Sequence, residues 1–262
     1  MKQKLKYLLY ATLVVFLVST SSGLAEEKGK EAGHKPHWAY EGEAGPGHWA
    51  EISNEFESCK IGKSQSPIDI TGKVKSEKRP LKVDYKDTPL SIINNGHTIQ
   101  VNYAPGSTVT IDGNTYQLVQ FHFHAPSEHT AKGKHYAMEA HIVHKSAEGK
   151  LAVIGINMKE GKENPFIKTL WDNLPDKVNE EKTVSGVTVN AMSLLPKIYP
   201  YYYYSGSLTT PPCSEGVSWN VLENTIEVSK AQVKKFASLI GKNARPVQPL
   251  NERKVAKSEG EK

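Results

Sequence analysis

The sequence predicts a mainly β protein with few short helices, folded as a single domain around one large sheet. From about residue 81 onward, short apolar runs with strand-type alternation dominate, and turn dipeptides such as Asn95-Gly96, Asp112-Gly113 and Glu148-Gly149 separate them. Helical patterns are few. No internal repeat and no Pro/Gly/Ser-rich linker divides the middle of the chain, which favours one domain.

The predicted elements follow one another closely. Strands are expected at residues 90–93, 98–103, 107–111, 116–124, 136–144 and 151–158. Asp112-Gly113 between two alternating runs indicates a hairpin, because both residues tolerate the positive φ of a tight turn. One helix is predicted at 164–174, with Asn164 as N-cap and Pro165 at its first position. The other is predicted at 229–240, with Ser229 as N-cap.

Residues 1–25 have the pattern of a secretory signal peptide. Three lysines precede an apolar run at residues 8–18. Gly23 and Ala25 are small residues at the third and the first position before the expected cleavage site. Cleavage after Ala25 would leave about 240 residues, the size of one large domain; an uncleaved membrane anchor is the alternative. We therefore expect an exported protein, periplasmic or extracellular, without membrane contact after cleavage. Residues 26–36 are predicted to be a flexible leader, 37–253 the domain, and 254–262 a polar, frayed tail.

Charge and cysteine content narrow the class further. The formal net charge is +5, and signal cleavage would lower it by removing three lysines and no acid. A charge so close to neutral argues against a nucleic-acid partner.

The two cysteines, Cys59 and Cys213, suggest a disulfide in an exported chain, with two unpaired thiols as the alternative. Such a bridge would close a loop of about 150 residues and stabilise the fold by roughly 4 to 5 kcal/mol in the chain-entropy model.

The most informative stretch is Gln120-Phe121-His122-Phe123-His124, followed by a second apolar segment with Glu139 and His141. Side chains alternate faces along a strand, so His122 and His124 point to one side and the two phenylalanines to the other. If the two segments are neighbouring strands, three imidazoles converge. Three neutral nitrogen ligands leave the fourth position of a tetrahedral zinc ion open, as a catalytic site requires. A His-x-His pair alone is often only structural, but ionisable groups in so apolar a run are costly to bury without partners.

Two neighbours of the histidines support the metal interpretation. Gln120 shares a face with His122 and His124, and Glu139 shares one with His141. Each can accept a hydrogen bond from a ring nitrogen and so fix the tautomer of a metal ligand. The alternatives are a surface position for Gln120 and an ordinary ion pair for Glu139.

Together with further motifs, these residues resemble the alpha class of carbonic anhydrases over about residues 37 to 253. The motifs are Gln65-Ser66-Pro67-Ile68-Asp69-Ile70, Asn94-Asn95-Gly96-His97, the stretch 120–124, Ser127-Glu128-His129, Glu139-Ala140-His141-Ile142-Val143-His144, Gly206-Ser207-Leu208-Thr209-Thr210-Pro211-Pro212 and Asn243-Ala244-Arg245-Pro246-Val247-Gln248-Pro249-Leu250. The resemblance implies a single domain around one large twisted, mostly antiparallel central sheet of about ten strands. It also implies a Zn²⁺ cofactor and the reversible hydration of carbon dioxide to bicarbonate and a proton.

The resemblance further implies a role for each site residue. Zinc-bound hydroxide would attack carbon dioxide. Thr209 would orient this hydroxide by accepting its hydrogen bond while donating its own hydroxyl hydrogen bond to Glu128. His97 would carry the released proton to bulk water. The other roles are zinc binding by His122, His124 and His141, orientation of two of them by Gln120 and Glu139, a dry wall for carbon dioxide formed by Val143, Val153, Leu208, Val217 and Trp219, bicarbonate contacts from Thr209 and Thr210, and a water path lined by Tyr40, Asn95 and Gln100.

The chain differs from the usual pattern of the family at a few positions, and part of its histidine motif also fits other families. Ala125-Pro126 follows the histidine pair directly and Gln100 stands where the family often has Asn, which affects the rim rather than the metal chemistry. The signal, cysteines and compact loops resemble secreted bacterial members, which implies a homodimer.

His122, His124 and Glu128 also fit the metal motif of cupin oxygenases, but a later Pro-x-Gly-x-x-His segment is missing. A non-catalytic binding relative would have lost a zinc histidine, and esterase activity on activated esters would be a side reaction of the same site.

Overall fold

The fold is built on a 12-stranded mixed sheet, whose central strands carry the predicted site. The computed structural model describes residues 37–259 apart from 72, 73, 75 and 199, so the predicted signal peptide and leader lie outside the described residues. Pro36–Lys262 form one compact unit. No helix of the described part is long and apolar enough to cross a bilayer.

Strands and helices are numbered along the chain. The strands are β1 Asp69–Ile70, β2 Leu81–Asp84, β3 Thr88–Asn94, β4 Ile99–Asn102, β5 Thr108–Ile111, β6 Asn114–His124, β7 Thr130–Ala131, β8 Lys134–His135, β9 Met138–Lys145, β10 Leu151–Glu160, β11 Glu181–Val189, β12 Tyr201–Ser207, β13 Glu215–Leu222, β14 Ile226–Val228 and β15 Ala256–Ser258. The α-helices are α1 Trp49–Ile52, α2 Ser58–Ile61, α3 Pro165–Trp171 and α4 Lys230–Ile240, with 3-10 helices at Gly42–Ala44, Asn54–Phe56 and Ala191–Leu194.

The sheet confirms the predicted fold class. Its order is β11-β3-β4-β6-β9-β10-β13-β12-β15, with β14 beside β10 and β2 joined through β5 to β6. Most pairs are antiparallel, as expected, but β10 pairs in parallel with both β13 and β14. β1, β7 and β8 form a separate small sheet. The central strands are therefore β6, β9 and β10, and the large apolar core packs on the face that carries Phe121 and Phe123.

Both predicted helices are present with their predicted caps. Asn164 Oδ1 accepts hydrogen bonds from the first backbone N–H groups of α3, which ends at Trp171 rather than at 174. In α4 the Ser229 hydroxyl and the Gln232 side chain cap each other's backbone N–H groups. These reciprocal bonds satisfy donors that a helix N-terminus otherwise leaves unpaired.

The expected fraying of the tail from Val255 onward is wrong for the residues that follow directly. Ala256–Ser258 form β15, which pairs antiparallel with β12. Ser258 Oγ donates to the Arg79 carbonyl oxygen, and Lys257 Nζ lies 2.9 Å from a carboxylate oxygen of Glu223. The edge of β12 offers unpaired backbone N–H and C=O groups, and an extended segment can pair with them whatever its side chains are. The tail therefore extends the sheet in spite of its polar composition.

A β-bulge in β6 decides which way the predicted ligands point. Leu118 pairs with His144 of β9 and Gln120 pairs with the adjacent Val143, so Val119 is an extra residue in β6. A bulge shifts the alternation of side chains by one position. Leu118 before the bulge and Phe121 after it consequently both face the core, while Gln120 and the histidines that follow it lie on the opposite face.

The predicted disulfide is confirmed. Cys59 in α2 is bonded to Cys213 in the loop after β12, with their Cα atoms 5.1 Å apart. The bridge spans a sequence separation of 154 residues and so ties the start of the domain to the loop that contains Thr209.

Candidate active site

Strands β6 and β9 bring the three histidines together. His122 lies directly opposite His141, and His124 lies opposite Glu139. The His124 and His141 ring centroids are 4.5 Å apart, and both lie within 5.3 Å of the His122 ring. One nitrogen from each of the three rings lies within 4.8 Å of the others. Alternation along two paired strands is thus sufficient to form a three-nitrogen donor set.

Gln120 and Glu139 hold two of these rings. The His122 Nδ1–H donates to Gln120 Oε1 at 2.8 Å, and the His141 Nε2–H donates to Glu139 Oε1 at 2.9 Å. With those nitrogens protonated and bound, His122 presents Nε2 and His141 presents Nδ1 as unprotonated donors. Both sequence-predicted orienting contacts are therefore made in the structure.

The third ring is held by a contact that the sequence reasoning missed. The His124 Nδ1–H donates to the backbone carbonyl of Asn243 at 2.7 Å. The Asn243 side chain is itself fixed, because its amide donates to the carbonyls of His97 and Phe123 and its oxygen accepts from the Ala125 N–H. A backbone acceptor has no residue signature, so only the motif containing Asn243 could have indicated its place.

Burial keeps all three imidazoles in the neutral form that a metal ligand needs. Desolvation lowers the pKa of His124 to about 4. It also lowers the pKa of His122 well below its usual value, with further lowering from His124 and His141. The pKa of His141 is lowered for the same first reason, although Glu139 opposes the shift.

Glu139 is the centre of a buried hydrogen-bond network. Its Oε2 accepts the backbone N–H groups of Glu128 and His129, and its Oε1 accepts ring N–H groups of His129 and His141 at 2.8 and 2.9 Å. The other ring nitrogen of His129 accepts from the Tyr204 hydroxyl at 2.7 Å. Burial opposes ionisation of Glu139, but the neighbouring His129 and His141 rings, which donate to its carboxylate, hold its pKa well below the usual range. The sequence motifs contained His129, but its task was not predicted.

Glu128 lies beside His124 and His141 and is fully buried. Its Oε1 accepts the Arg245 backbone N–H at 2.9 Å, and its Oε2 is 3.5 Å from His124 Nε2. Burial raises the pKa of Glu128 to about 7, and the His141 ring and the hydroxyl of the buried Thr209 moderate the increase. The two residues that the resemblance pairs are therefore close enough to interact.

The polar atoms left without partners fit a metal ion. In the part of the chain that the structure describes, the buried side-chain atoms without a hydrogen bond are His124 Nε2, Glu128 Oε2 and Asn157 Oδ1. The first two face each other at the histidine cluster. An unpaired imidazole nitrogen in a buried site is costly, and a metal ion removes that cost. Three neutral imidazoles with fixed tautomers are a donor set suited to zinc.

One wall of the site is apolar. Val153 pairs with Val143 on one side and with Trp219 on the other. Strands β9, β10, β12 and β13 thus bring the predicted substrate wall into one hydrophobic cluster, separate from the main core, that contains Val143, Val153, Leu208, Val217 and Trp219. The Thr210 carbonyl accepts the Cys213 N–H and closes the adjoining loop.

His97 is half-buried and stacked on Trp38. The two ring centroids are 3.8 Å apart and the planes differ by 7°. Partial burial, with a contribution from His37, lowers the pKa of His97 below its usual value. Tyr40 packs edge-on against Trp38, and burial together with Glu128 raises its pKa well above the usual range.

The remaining predicted rim residues have local partners. Asn95 Oδ1 accepts the backbone N–H groups of His97 and Thr98 and so closes the turn before β4. Gln100 lies opposite His122 across β4 and β6, and its side chain donates to Asn102. Their place in a water path stays a prediction.

Comparisons with known proteins agree with this geometry. The family model for eukaryotic-type carbonic anhydrase matches residues 44–259. The carbonic anhydrase of Klebsiella pneumoniae is 48% identical over 223 residues, which cover 84% of this chain and 90% of that protein. The solved alpha-carbonic anhydrase of Thermovibrio ammonificans, in complex with the inhibitor sulfanilamide, has a TM-score of 0.82 at 47% identity and is covered completely by 85% of this chain. A hyperthermostable carbonic anhydrase from a hydrothermal vent chimney gives 0.79 at 51% identity, with the same coverage.

Proposed function

This chain belongs to the eukaryotic-type carbonic anhydrase family, and we propose that it hydrates carbon dioxide reversibly at a zinc ion held by His122, His124 and His141. The observation that carries the proposal is the donor set: three rings, two of them buried and that of His122 partly exposed, each with one nitrogen fixed by a hydrogen bond and the other within 4.8 Å of its counterparts. When bound, zinc lowers the pKa of a water ligand to about 7, an effect for which carbonic anhydrase is itself the standard example.

Thr209 and Glu128 orient the nucleophile in this proposal. Glu128 is held by the Arg245 N–H, so its carboxylate has a fixed position from which to accept the Thr209 hydroxyl proton. With that proton committed, Thr209 Oγ1 acts as an acceptor toward the attacking oxygen and selects its orientation. Such preorganised polar contacts stabilise developing charge without reorganisation during the reaction.

The apolar cluster holds carbon dioxide, and the Thr209 and Thr210 end of the site holds bicarbonate. Carbon dioxide is small and uncharged, so it loses little hydration when it binds against the apolar side chains of Val143, Val153 and Trp219. Bicarbonate carries a charge and is better solvated in bulk water than against that wall, which favours its release.

His97 carries the proton to bulk water. An imidazole at the rim accepts and releases protons near neutral pH. Partial burial, with a smaller contribution from His37, lowers the pKa of His97 below its usual value, which favours the neutral ring that accepts a proton.

Export and assembly belong to the same proposal. The Cys59–Cys213 disulfide supports an oxidising compartment, periplasmic or extracellular, because such bridges are rare in reducing cytosol. The homodimer implied by the family resemblance is proposed as well. Light scattering of the purified chain tests the dimer, and the mass of the secreted product tests cleavage after Ala25.

Stopped-flow measurement of carbon dioxide hydration is the decisive experiment. We expect the activity to disappear when a chelator removes the metal and to return on addition of zinc in a ratio of one per chain. The variant His141→Ala should contain much less zinc in elemental analysis. Iron or manganese in the active protein, or full metal retention by the variant, would contradict the proposal.

A further inference from the structure

We infer that Arg245 is a positioning residue that fixes the Thr209 loop, defined as residues 207–213, relative to Glu128. The inference rests on the proposed function, because it gives Arg245 a task in the same reaction. The hydrogen bonds of the Arg245 side chain go neither to the histidine cluster nor to the apolar wall, so its effect passes through other residues.

The Arg245 side chain is almost completely buried, at 1% exposure, and binds one N-terminal segment. Nη1 donates to Gln65 Oε1 at 2.9 Å and to the Ser66 carbonyl at 2.8 Å, and Nη2 donates to the Cys59 carbonyl at 3.0 Å. The guanidinium carbon lies 5.5 Å from the Trp49 ring centroid. Three directional bonds to neutral oxygens from a buried cation indicate a fixed geometry rather than a simple charge pair.

That segment holds both ends of the Thr209 loop. Ser66 and Ser207 exchange two hydrogen bonds, from each backbone N–H to the other hydroxyl, at 2.9 and 3.1 Å. Gln65 Nε2 donates to the Cys213 carbonyl at 3.0 Å. The Cys59–Cys213 disulfide joins the same two pieces of chain. The Arg245 guanidinium therefore holds the residues that clamp Ser207 and Cys213.

The backbone of the same residue holds the acceptor of the Thr209 proton. The Arg245 N–H donates to Glu128 Oε1 at 2.9 Å. One residue is thus bonded through its side chain to the clamp of the Thr209 loop and through its backbone to Glu128. A displacement of Arg245 changes the position of Thr209 relative to Glu128, and misplacement of about 1 Å can reduce an enzymatic rate by about 10²-fold.

A double-mutant cycle separates positioning from a merely structural role. The changes are Arg245→Met, which keeps the bulk but removes the donors, and Thr209→Ala, which removes the hydroxyl to be positioned. In the zinc-loaded full chain we expect Arg245→Met to lower kcat/KM by about tenfold or more when Thr209 is present. In the Thr209→Ala background the further loss should be less than about twofold, because there is no longer a hydroxyl to misplace.

Arg253→Met is the matched control. Arg253 also donates to backbone carbonyls and lies over an aromatic ring, that of Tyr204, but it has no bond to the clamp or to Glu128. It should leave kcat/KM within about twofold in both backgrounds. Arg245→Lys keeps the positive charge but lacks the planar guanidinium group with its several N–H donors. We therefore expect it to have more activity than Arg245→Met but less than the parent. Full recovery by lysine, or equal losses in both Thr209 backgrounds, would overturn the inference.

Gln65→Met tests the same connection if Arg245→Met does not fold. Methionine removes both the acceptor for Arg245 and the donor to the Cys213 carbonyl and to Glu215, without adding a charge next to Glu215, so its effect on kcat/KM should also vanish in the Thr209→Ala background. Hydrogen exchange of the zinc-loaded protein gives a readout without catalysis: the Leu208 and Cys213 amides should exchange faster in the variant than in the parent. Unchanged exchange there would refute the clamp. If the parent chain shows no carbon dioxide hydration, the proposed function fails, whereas the exchange result still decides the connection.

Discussion

Replacement of Glu139 by glutamine removes one charge from the centre of the buried network without changing its shape. The carboxylate accepts four hydrogen bonds, two on each oxygen. An amide has one oxygen, so whichever way it turns, its NH₂ group faces two N–H donors. If the oxygen stays toward the rings of His129 and His141, the backbone N–H groups of Glu128 and His129 lose their acceptor. If it turns, both rings lose theirs.

The magnitude follows from the number of bonds lost. A hydrogen bond to a charged group contributes about 1.5 to 3 kcal/mol, so two lost bonds cost roughly 3 to 6 kcal/mol. That is a large part of the total stability of about 5 to 15 kcal/mol expected for a domain. In metal-free protein, it lowers Tm by roughly 6 to 24 °C. Because the His141 ring then donates to a neutral amide oxygen or loses its acceptor altogether, zinc affinity should fall about 10- to 100-fold.

Thermal unfolding of the metal-free protein and zinc titration against a competing chelator measure the two effects separately. Glu223→Gln is the control, since Glu223 accepts single bonds from Tyr202 and Lys257 at a partly exposed site and should cost less than about 1 kcal/mol. A Glu139→Gln protein with the parent's Tm and zinc affinity would refute the assignment of Glu139 as the anchor of His141.

Three further predictions concern the loop, the rim and the bridge. Thr209→Ala should retain zinc but lose about 10²-fold in kcat/KM, as expected for one preorganised contact to a reacting oxygen; an unchanged rate in stopped flow would mean that the nucleophile needs no such aiming. His97→Ala should lower kcat while kcat/KM for carbon dioxide stays nearly constant, because attack does not use the ring, and imidazole buffer should restore kcat. Equal loss of both constants without buffer rescue would instead assign His97 to the Asn95 turn. Titration of the unfolded, unreduced protein should find no free thiol from Cys59 or Cys213, and two free thiols would exclude the bridge.

Local sequence signals predicted the parts of the fold that depend on neighbouring residues. The hairpin at Asp112-Gly113 joins β5 to β6, with φ of 50° and 79° at the two turn residues, as a tight turn requires. The cap at Ser229 began α4 where expected. The histidine face of β6 followed from alternation alone. These features share one property, which is that the residues that determine them lie within a few positions of each other.

Apart from the disulfide, which the cysteine count indicated, features that depend on distant residues could not be read from local sequence patterns. The parallel pairing of β10 with β13 joins segments far apart in the chain and leaves no periodic trace. The Asn243 carbonyl that holds His124 belongs to the backbone, so any residue could supply it. The polar composition of the tail hid the strand Ala256–Ser258, because its pairing depends on the exposed edge of β12 rather than on its own side chains.

The bulge at Val119 implies that β6 tolerates the loss of a residue at this position far better than in the segment that follows it. The Val119 side chain is exposed, at 42%, so most substitutions there would leave the protein unchanged. Loss of the Val119 codon would make Leu118 and Gln120 direct neighbours, still opposite His144 and Val143 of β9. Regular alternation would then keep Leu118 in the core and the two histidines on the opposite face, so the bend of the strand would change but not the direction of its side chains. Loss of Phe121 would instead turn either Gln120 or the histidines to the wrong face. We therefore expect a library of one-residue deletions across β6 to show its mildest loss of function at Val119 and its sharpest at residues 121–123.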